Sequence, residues 1–378
     1  MKHLNEYFQS YAYAALFLSH QPAFGFKNQL LLSNHTSSSL KLGTDYLSYT
    51  SYDYKNKIES FAEKENNPLQ FPTQLYCEVE KIIPLTQNDI SFSCQTLKQQ
   101  AISVQASICK EDYIRTVEQL KQHIQQGDIY EINYCITFEA HDVNINPFVL
   151  FQKLNQISKA PYAALTKFNK HWIISSSPEL FLSKRKNVLY TKPIKGTAKR
   201  SLNKEEDENL KTQLHQSIKE QNENVMIVDV ARNDLSRISE KGSVVVNKLF
   251  DIESYEQVHQ MVSTVSCQLK NNTSFNDILK ATFPMASMTG APKIKAMELI
   301  DKYELYNRNA YSGALGYIDK HGDFDLSVLI RSIFYNEEKN YLSFSVGSAI
   351  TDMCHPEEEY KECLLKAKAM MEVLSGRI

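Results

Sequence analysis

The chain has 378 residues, 42 Lys and Arg against 44 Asp and Glu, and a formal net charge of −2. At about 150 residues per domain this length permits two domains or one large one, and it supports a core that needs no disulfide or metal staple. The charge balance excludes a dedicated nucleic-acid binder, and the absence of a run of about 18 apolar residues excludes a transmembrane helix.

Seven cysteines (Cys77, Cys94, Cys109, Cys135, Cys267, Cys354 and Cys363) are odd in number, irregularly spaced and without a C-x-x-C pair. Neither a disulfide framework nor a zinc knuckle is expected, and a cytoplasmic location follows. The apolar run from Tyr11 to Leu18 is as long as a short signal core. Glu6 stands before it and no cleavage site follows, so a buried strand or helix is expected instead.

Residues 1 to 85 read as short, aromatic-rich β segments, with Leu40 to Tyr54 alternating as strands do. Residues 84–108 are rich in Gln, Ser, Asn and Thr and read as a linker or surface excursion. Tyr113, Val117, Leu120 and Ile124 then recur at helical spacing until Gly127. A strand is predicted at 129–138, a helix at 147–157, and strands at 161–167, 171–177 and 179–184. The charged, helical stretch 203–225 runs into an apolar segment, Val225 to Val230. A strand at 243–250 follows, then two helices around Gly290-Ala291-Pro292, strands at 312–319, 325–335 and 341–346, and a last helix from Pro356. This uneven grouping predicts an α+β fold, divided into an N-terminal β-rich region with linker (1–108) and a catalytic region (109–378) packed as one unit.

Four constellations carry candidate chemistry. Lys195 lies in Thr191-Lys-Pro-Ile-Lys-Gly-Thr197, a short segment where desolvation would lower its pKa and make it a nucleophile. A basic surface turn is the alternative. Glu220/Glu223 and Glu359/Glu362 are i, i+3 pairs that each place two carboxylates on one helix face. They suit a hard cation if the pairs converge, and a solvated face or helix-dipole partner if they do not. Thr289-Gly290-Ala291 precedes a helix, where backbone N–H groups suit a carboxylate or phosphate. Arg331 sits in the apolar run Leu326 to Phe334 and needs an internal carboxylate or an anionic ligand.

In order along the chain stand Gly127-Asp-Ile-Tyr-Glu-Ile-Asn133, Ser177-Pro-Glu179, Pro193-Ile-Lys-Gly-Thr197, Glu223-Asn-Val-Met-Ile-Val-Asp229 with Arg232-Asn-Asp-Leu235, Ser287-Met-Thr-Gly-Ala-Pro-Lys293, Tyr311-Ser-Gly313 and Pro356-Glu-Glu-Glu-Tyr-Lys-Glu362. With these segments the chain resembles the chorismate-utilising enzymes, from about Tyr113 to the C-terminus, with a weaker echo at Leu47 to Asn56. The resemblance implies a large α+β sandwich, with two sheets outside and helices between.

Within that family, lysine at position 195 is typical of aminodeoxychorismate synthase component I, whereas the anthranilate and isochorismate enzymes usually carry Ala. The resemblance then implies attack of Lys195 on C2 of chorismate with loss of the 4-hydroxyl, and addition of ammonia at C4 to give 4-amino-4-deoxychorismate for p-aminobenzoate and folate. It implies Glu179 as general acid/base, and Mg²⁺ held by Glu220, Glu223, Glu359 and Glu362. Tyr311 and Arg331 would hold the enolpyruvyl carboxylate and Thr289, Gly290 and Ala291 the ring carboxylate, with Gly347 in the Gly-poor remnant Gly347-Ser-Ala349. No cysteine lies in a Gly-x-Cys-x-Gly elbow and the last helix ends close to Ile378, so ammonia is expected from a separate glutamine amidotransferase subunit.

The chain departs from the family at Gln260, where His is frequent, with His259 expected to face the other way in a strand. It departs again at Met285-Ala286, where Gly-Gly is usual, and at Glu131, where relatives carry Gln or Lys. The alternatives are anthranilate synthase component I, disfavoured by Lys195 and by the lack of a Leu-Leu-Glu-Ser segment, and a non-catalytic ligand-binding member of the fold.

Overall fold

The run that begins at Tyr13 is a central strand, Tyr13–Leu18, hydrogen-bonded to a neighbour on each side. It is apolar throughout because both of its faces are covered. Ala14, Leu16 and Leu18 point to one core, and Ala15 and Phe17 to another. The computed structural model describes residues 4–375 except 21–25, 63, 65, 66 and 87–99. Most of the predicted linker at 84–108 therefore lies outside the described residues.

Among the described residues the strands form two antiparallel sheets of ten. The first runs Gly290–Ala291, Glu131–Ala140, Tyr341–Ile350, Ser332–Asn336, His171–Ser177, Tyr162–Phe168, Tyr13–Leu18, Gln29–Ser33 and Lys81–Pro84, with Gln105–Ala106 also on Glu131–Ala140. The second runs Ile194–Lys199, Val258–Gln268, Val188–Lys192, Leu180–Arg185, Phe324–Val328, Ala314–Ile318, Tyr46–Thr50, Gln74–Glu78 and His35–Ser37, with Val245–Ser254 also on Val258–Gln268. Strands from before and after residue 108 thus share both sheets.

Period-2 alternation sorts the side chains into two cores. Phe17, Ala164, Phe168, Ile173 and Phe334 of the first sheet meet Leu47, Phe181 and Leu326 of the second. Leu16, Leu165, Ile174 and Ile333 face the other way, towards Val117 and Leu120 of helix Lys110–Gln125, Leu150 and Leu154 of Pro147–Ser158, and Met370 of Pro356–Ser375. Helix Ile218–Ser236 touches Val258–Gln268 of one sheet and Gly290–Ala291 of the other, so it lies between them at one end. That helix matches the expected interlayer position, whereas the three others cover an outer face.

Two predicted elements are corrected. The strand expected at 325–335 is two strands in different sheets, Phe324–Val328 and Ser332–Asn336. Leu329 to Arg331 carry the chain across, and Arg331 takes a left-handed φ of 52°. Hydrophobic pattern cannot register this change of sheet, because both halves are buried. The charged helix at 203–225 is also interrupted: Lys204–Gln216 ends at Ser217, whose side chain accepts from Glu220 N and caps Ile218–Ser236.

Candidate active site

Lys195 projects from the edge strand Ile194–Lys199, which pairs with Val258–Gln268 through an irregular register between Ile194 and Thr197. Gly196, the next residue, has φ +85°, and a Cβ there would stand 2.9 Å from Glu220 Oε2. Only glycine allows this kink against the helix that carries Glu220. Lys195 Nζ donates to Glu131 Oε1 at 2.6 Å and lies 4.0 Å from Glu223 Oε2. The Lys195 side chain is 11% exposed and that of Glu131 1%, so the pair is shut away from water.

This arrangement corrects the expected lowering of the lysine pKa. Burial does push it down, but Glu131 and Glu223 outweigh burial and hold the amine above its ordinary range. Resting Lys195 is an ammonium. Glu131 Oε2 is buried without a hydrogen-bond partner.

Glu179 stands just beyond strand His171–Ser177. Its Oε1 accepts from Ile194 N at 3.3 Å and from Ser287 Oγ at 2.9 Å. Burial pushes its carboxyl up to about 7, against the opposing pull of Ser287, the Ile194 amide and Lys195. A carboxyl with that pKa can hold or release a proton near neutrality. Below pH 7 Glu179 is protonated in the folded chain, and above it a buried carboxylate must be carried. Glu179→Gln should therefore raise stability at pH 8 relative to wild type by about 2–3 kcal/mol. The gain should vanish below about pH 4.5, where the unfolded chain also binds the proton. Chemical denaturation at the two pH values checks this, and an equal effect at both would remove the assignment.

One glutamate of each pair, Glu223 and Glu359, meets at Lys219. Glu223 and Glu359 are buried, and Lys219 Nζ lies 3.9 Å from Glu223 Oε1 and 3.5 Å from Glu359 Oε1. Burial would lower the Lys219 pKa, but Glu359, Glu223, Glu362 and Glu220 outweigh it and hold the amine above its ordinary range. Ser348 Oγ donates to Glu359 Oε2. Burial pushes Glu223 up to about 7 and raises Glu220 as well. For Glu362 burial acts upwards too, but Lys366 at 2.6 Å holds its carboxyl below the ordinary value.

A solvated face therefore describes Glu357 and Glu358, which pair with Lys110 and Lys361 at the surface, and not Glu359. Four hard oxygen donors from two helices fit a cation such as Mg²⁺. Among the described residues no three acidic or His/Cys side chains stand close enough together to hold one as they are.

The segment before helix Lys293–Tyr303 is less open than expected. The Thr289 N–H donates to Ala286 O at 3.2 Å, so it is not free for an anion. Gly290–Ala291 is a two-residue strand on Glu131–Ile132, and a Gly290 Cβ would stand 2.1 Å from the Glu131 carbonyl oxygen. The absence of that side chain lets this segment lie against the strand that bears Glu131. Lys293 braces the turn from below, donating to Thr282 O at 3.0 Å and Pro284 O at 2.8 Å and pairing with Asp234.

Arg331 has no internal carboxylate within ion-pair distance among the described residues. Its Nη1 donates to Lys366 O at 2.9 Å, a backbone carbonyl. Burial lowers its pKa, with Tyr311 and Glu362 opposing. Tyr311 is buried and its OH accepts from Cys135 Sγ at 3.7 Å. Gly347 pairs with Cys135 in the sheet, and a Cβ there would meet Cys135 Sγ at 2.6 Å. Gln260 sits opposite Thr197, with Oε1 buried and unpartnered. His259 turns elsewhere, its ring nitrogens 2.8 Å from Ser254 Oγ and 3.0 Å from Asp207 Oδ1.

The sequence profile of the chorismate binding enzymes matches residues 8–372. The chain belongs to the chorismate binding enzyme family. It is 43% identical over 277 residues to the chloroplastic aminodeoxychorismate synthase of Arabidopsis thaliana, covering 71% of this chain and 30% of that protein. It is 37% identical over 290 residues to anthranilate synthase component 1 of Acetivibrio thermocellus, covering 76% and 57%. The chain thus spans about a third to somewhat over half the length of these relatives. The crystal structure of anthranilate synthase component I from Streptococcus pneumoniae superimposes with a TM-score of 0.76 at 26% identity, covering 94% of this chain and 92% of that one.

Family membership came from segments strung along the chain, but three residues of the site escaped sequence reading. Lys366 donates to Gly347 O at 2.8 Å and pairs with Glu362. Its spacing of i+4 from Glu362 was the available signal. Lys219 carried the same mark, four positions before Glu223, whereas Ser348 carried none. No helix among the described residues is long and apolar enough to cross a membrane.

Proposed function

We propose that the chain forms 4-amino-4-deoxychorismate from chorismate and ammonia, as an aminodeoxychorismate synthase component I. The observation that carries this reading is the buried Lys195, aimed at Glu131 and flanked by Glu179 and Glu223. A lysine there provides a nucleophile for C2 of the substrate. Because it rests as an ammonium, it must first give up a proton, and Glu131 Oε1 at 2.6 Å is the acceptor in reach.

Attack on C2 then expels the 4-hydroxyl, to which Glu179 supplies the proton that its raised pKa lets it hold near neutrality. Ammonia adds at C4, the lysine leaves C2, and Lys195 recovers its proton. Gln260 has no acidity to share in these steps. Tyr311, Arg331 and the Gly290–Ala291 segment are proposed to hold the substrate carboxylates, with Gly347 alongside, packed against Cys135 and Asn133. Glu220, Glu223, Glu359 and Glu362 would hold Mg²⁺, which when bound neutralises a substrate carboxylate and draws it to this side of the site.

The test is incubation of the chain with chorismate, Mg²⁺ and an ammonium salt, followed by product identification. 4-Amino-4-deoxychorismate is expected, and anthranilate would replace this reading by the tryptophan-pathway one. With glutamine as sole nitrogen donor the chain alone should be inactive until an amidotransferase subunit is added. Sustained product from glutamine would remove the two-subunit proposal. Expressed per unprotonated ammonia, the rate should fall as pH rises through about 7, because Glu179 loses the proton it donates.

A further inference from the structure

We infer that Lys219 is a tethered counter-cation that occupies the cation site and must swing out before a divalent ion can bind. The inference rests on the four-glutamate site proposed above. Lys195 is committed to Glu131 and Lys366 to Glu362 and Gly347 O. Lys219 differs from both. Its ammonium lies 3.9 Å from Glu223 and 3.5 Å from Glu359, bridging the two helices that supply the carboxylates.

The side chain is 57% exposed, so it has an open path to solvent, whereas the Glu359 carboxylate it meets is 4% exposed. It leaves from the first turn of helix Ile218–Ser236, one residue before Glu220, and its four-carbon stem permits the ammonium to move without the backbone. The same acidic residues are not gathered closely enough to hold an ion as they stand. An ammonium lodged among them accounts for both facts: it screens their repulsion, and it keeps them spaced for a monovalent, non-coordinating charge.

Two consequences follow from one displacement. Without a divalent ion, Lys219 offsets the repulsion between Glu223 and Glu359. With one, the ion has to compete against a charge held at high local concentration, so affinity in the absence of substrate is weakened. Removing that charge should tighten cation binding and loosen the cation-free protein.

The experiment uses the full chain without chorismate and Mn²⁺ as the probe, with binding read by electron paramagnetic resonance and melting read in chelator and in Mn²⁺. Lys219→Met should bind Mn²⁺ about tenfold more tightly than wild type. It should also melt lower in chelator and gain more from Mn²⁺. Lys219→Arg, which keeps the charge, should stay near wild type, showing that the position tolerates substitution. Binding by Lys219→Met equal to or weaker than wild type overturns the inference while leaving the glutamate site standing. If neither protein binds Mn²⁺, with or without chorismate, the glutamate site fails and the inference fails with it.

Discussion

Lys195→Ala should lose about 10³-fold in 4-amination, equivalent to about 4 kcal/mol of barrier. The amine is enclosed beside Glu131, and among the described residues no second lysine pairs with Glu131: Lys219 and Lys366 are engaged with other glutamates. In wild type, trapping after exposure to chorismate should give a covalent adduct on Lys195, visible as a mass increment on the intact chain. A residual reaction in the variant should shift towards addition at C2, the carbon the lysine no longer occupies. Full 4-amination by Lys195→Ala would end the nucleophile assignment. Glu131→Gln offers a finer probe, because it removes the charge that holds the amine protonated, and the pH at which adduct formation sets in should fall.

The second large effect is expected at the glutamates. Glu223→Gln and Glu362→Gln should each raise the divalent ion needed for half-maximal activity by at least about tenfold, because each removes an oxygen donor from the proposed Mg²⁺ site. The two variants differ in a useful way. Glu223 also lies 4.0 Å from Lys195, so its loss removes part of the field that keeps the amine protonated. Glu362 pairs with Lys366 instead. A shared change in metal requirement therefore belongs to the ion, and a change in the pH profile of Glu223→Gln alone belongs to the nucleophile. Undiminished turnover by chelator-treated wild type would remove the metal from the mechanism.

Much of the site was legible because its signals are local. The pairs Glu220/Glu223 and Glu359/Glu362 needed only helical spacing, and both lie on helices, Ile218–Ser236 and Pro356–Ser375. Gly196 and Gly290 stand where a side chain would strike Glu220 Oε2 or the Glu131 carbonyl, which explains why those segments read as distinctive. The helix ended by Gly127 and the strands between Tyr162 and Arg185 followed from hydrophobic period and turn residues, whereas the run from Tyr13 read equally as a strand or a helix.

Other features depended on partners brought together from distant parts of the chain. The sign of the Lys195 shift is the clearest. Sequence gave grounds for burial, which lowers an amine pKa, but not for Glu131, which comes from the opposite sheet 64 positions away and reverses the outcome. Arg331 reads as a buried strand residue, yet it sits where the chain changes sheets and gives its hydrogen bond to a carbonyl of the last helix. The lodging of Lys219 between two helices is equally invisible to spacing. By itself, then, the sequence determined the α+β class, the family and the elements that carry each acidic pair, since these rest on short-range periodicity and ordered segments. Only the tertiary structure decided which charges face one another, because an ion pair's effect depends on distance through a low-dielectric interior and not on separation along the chain.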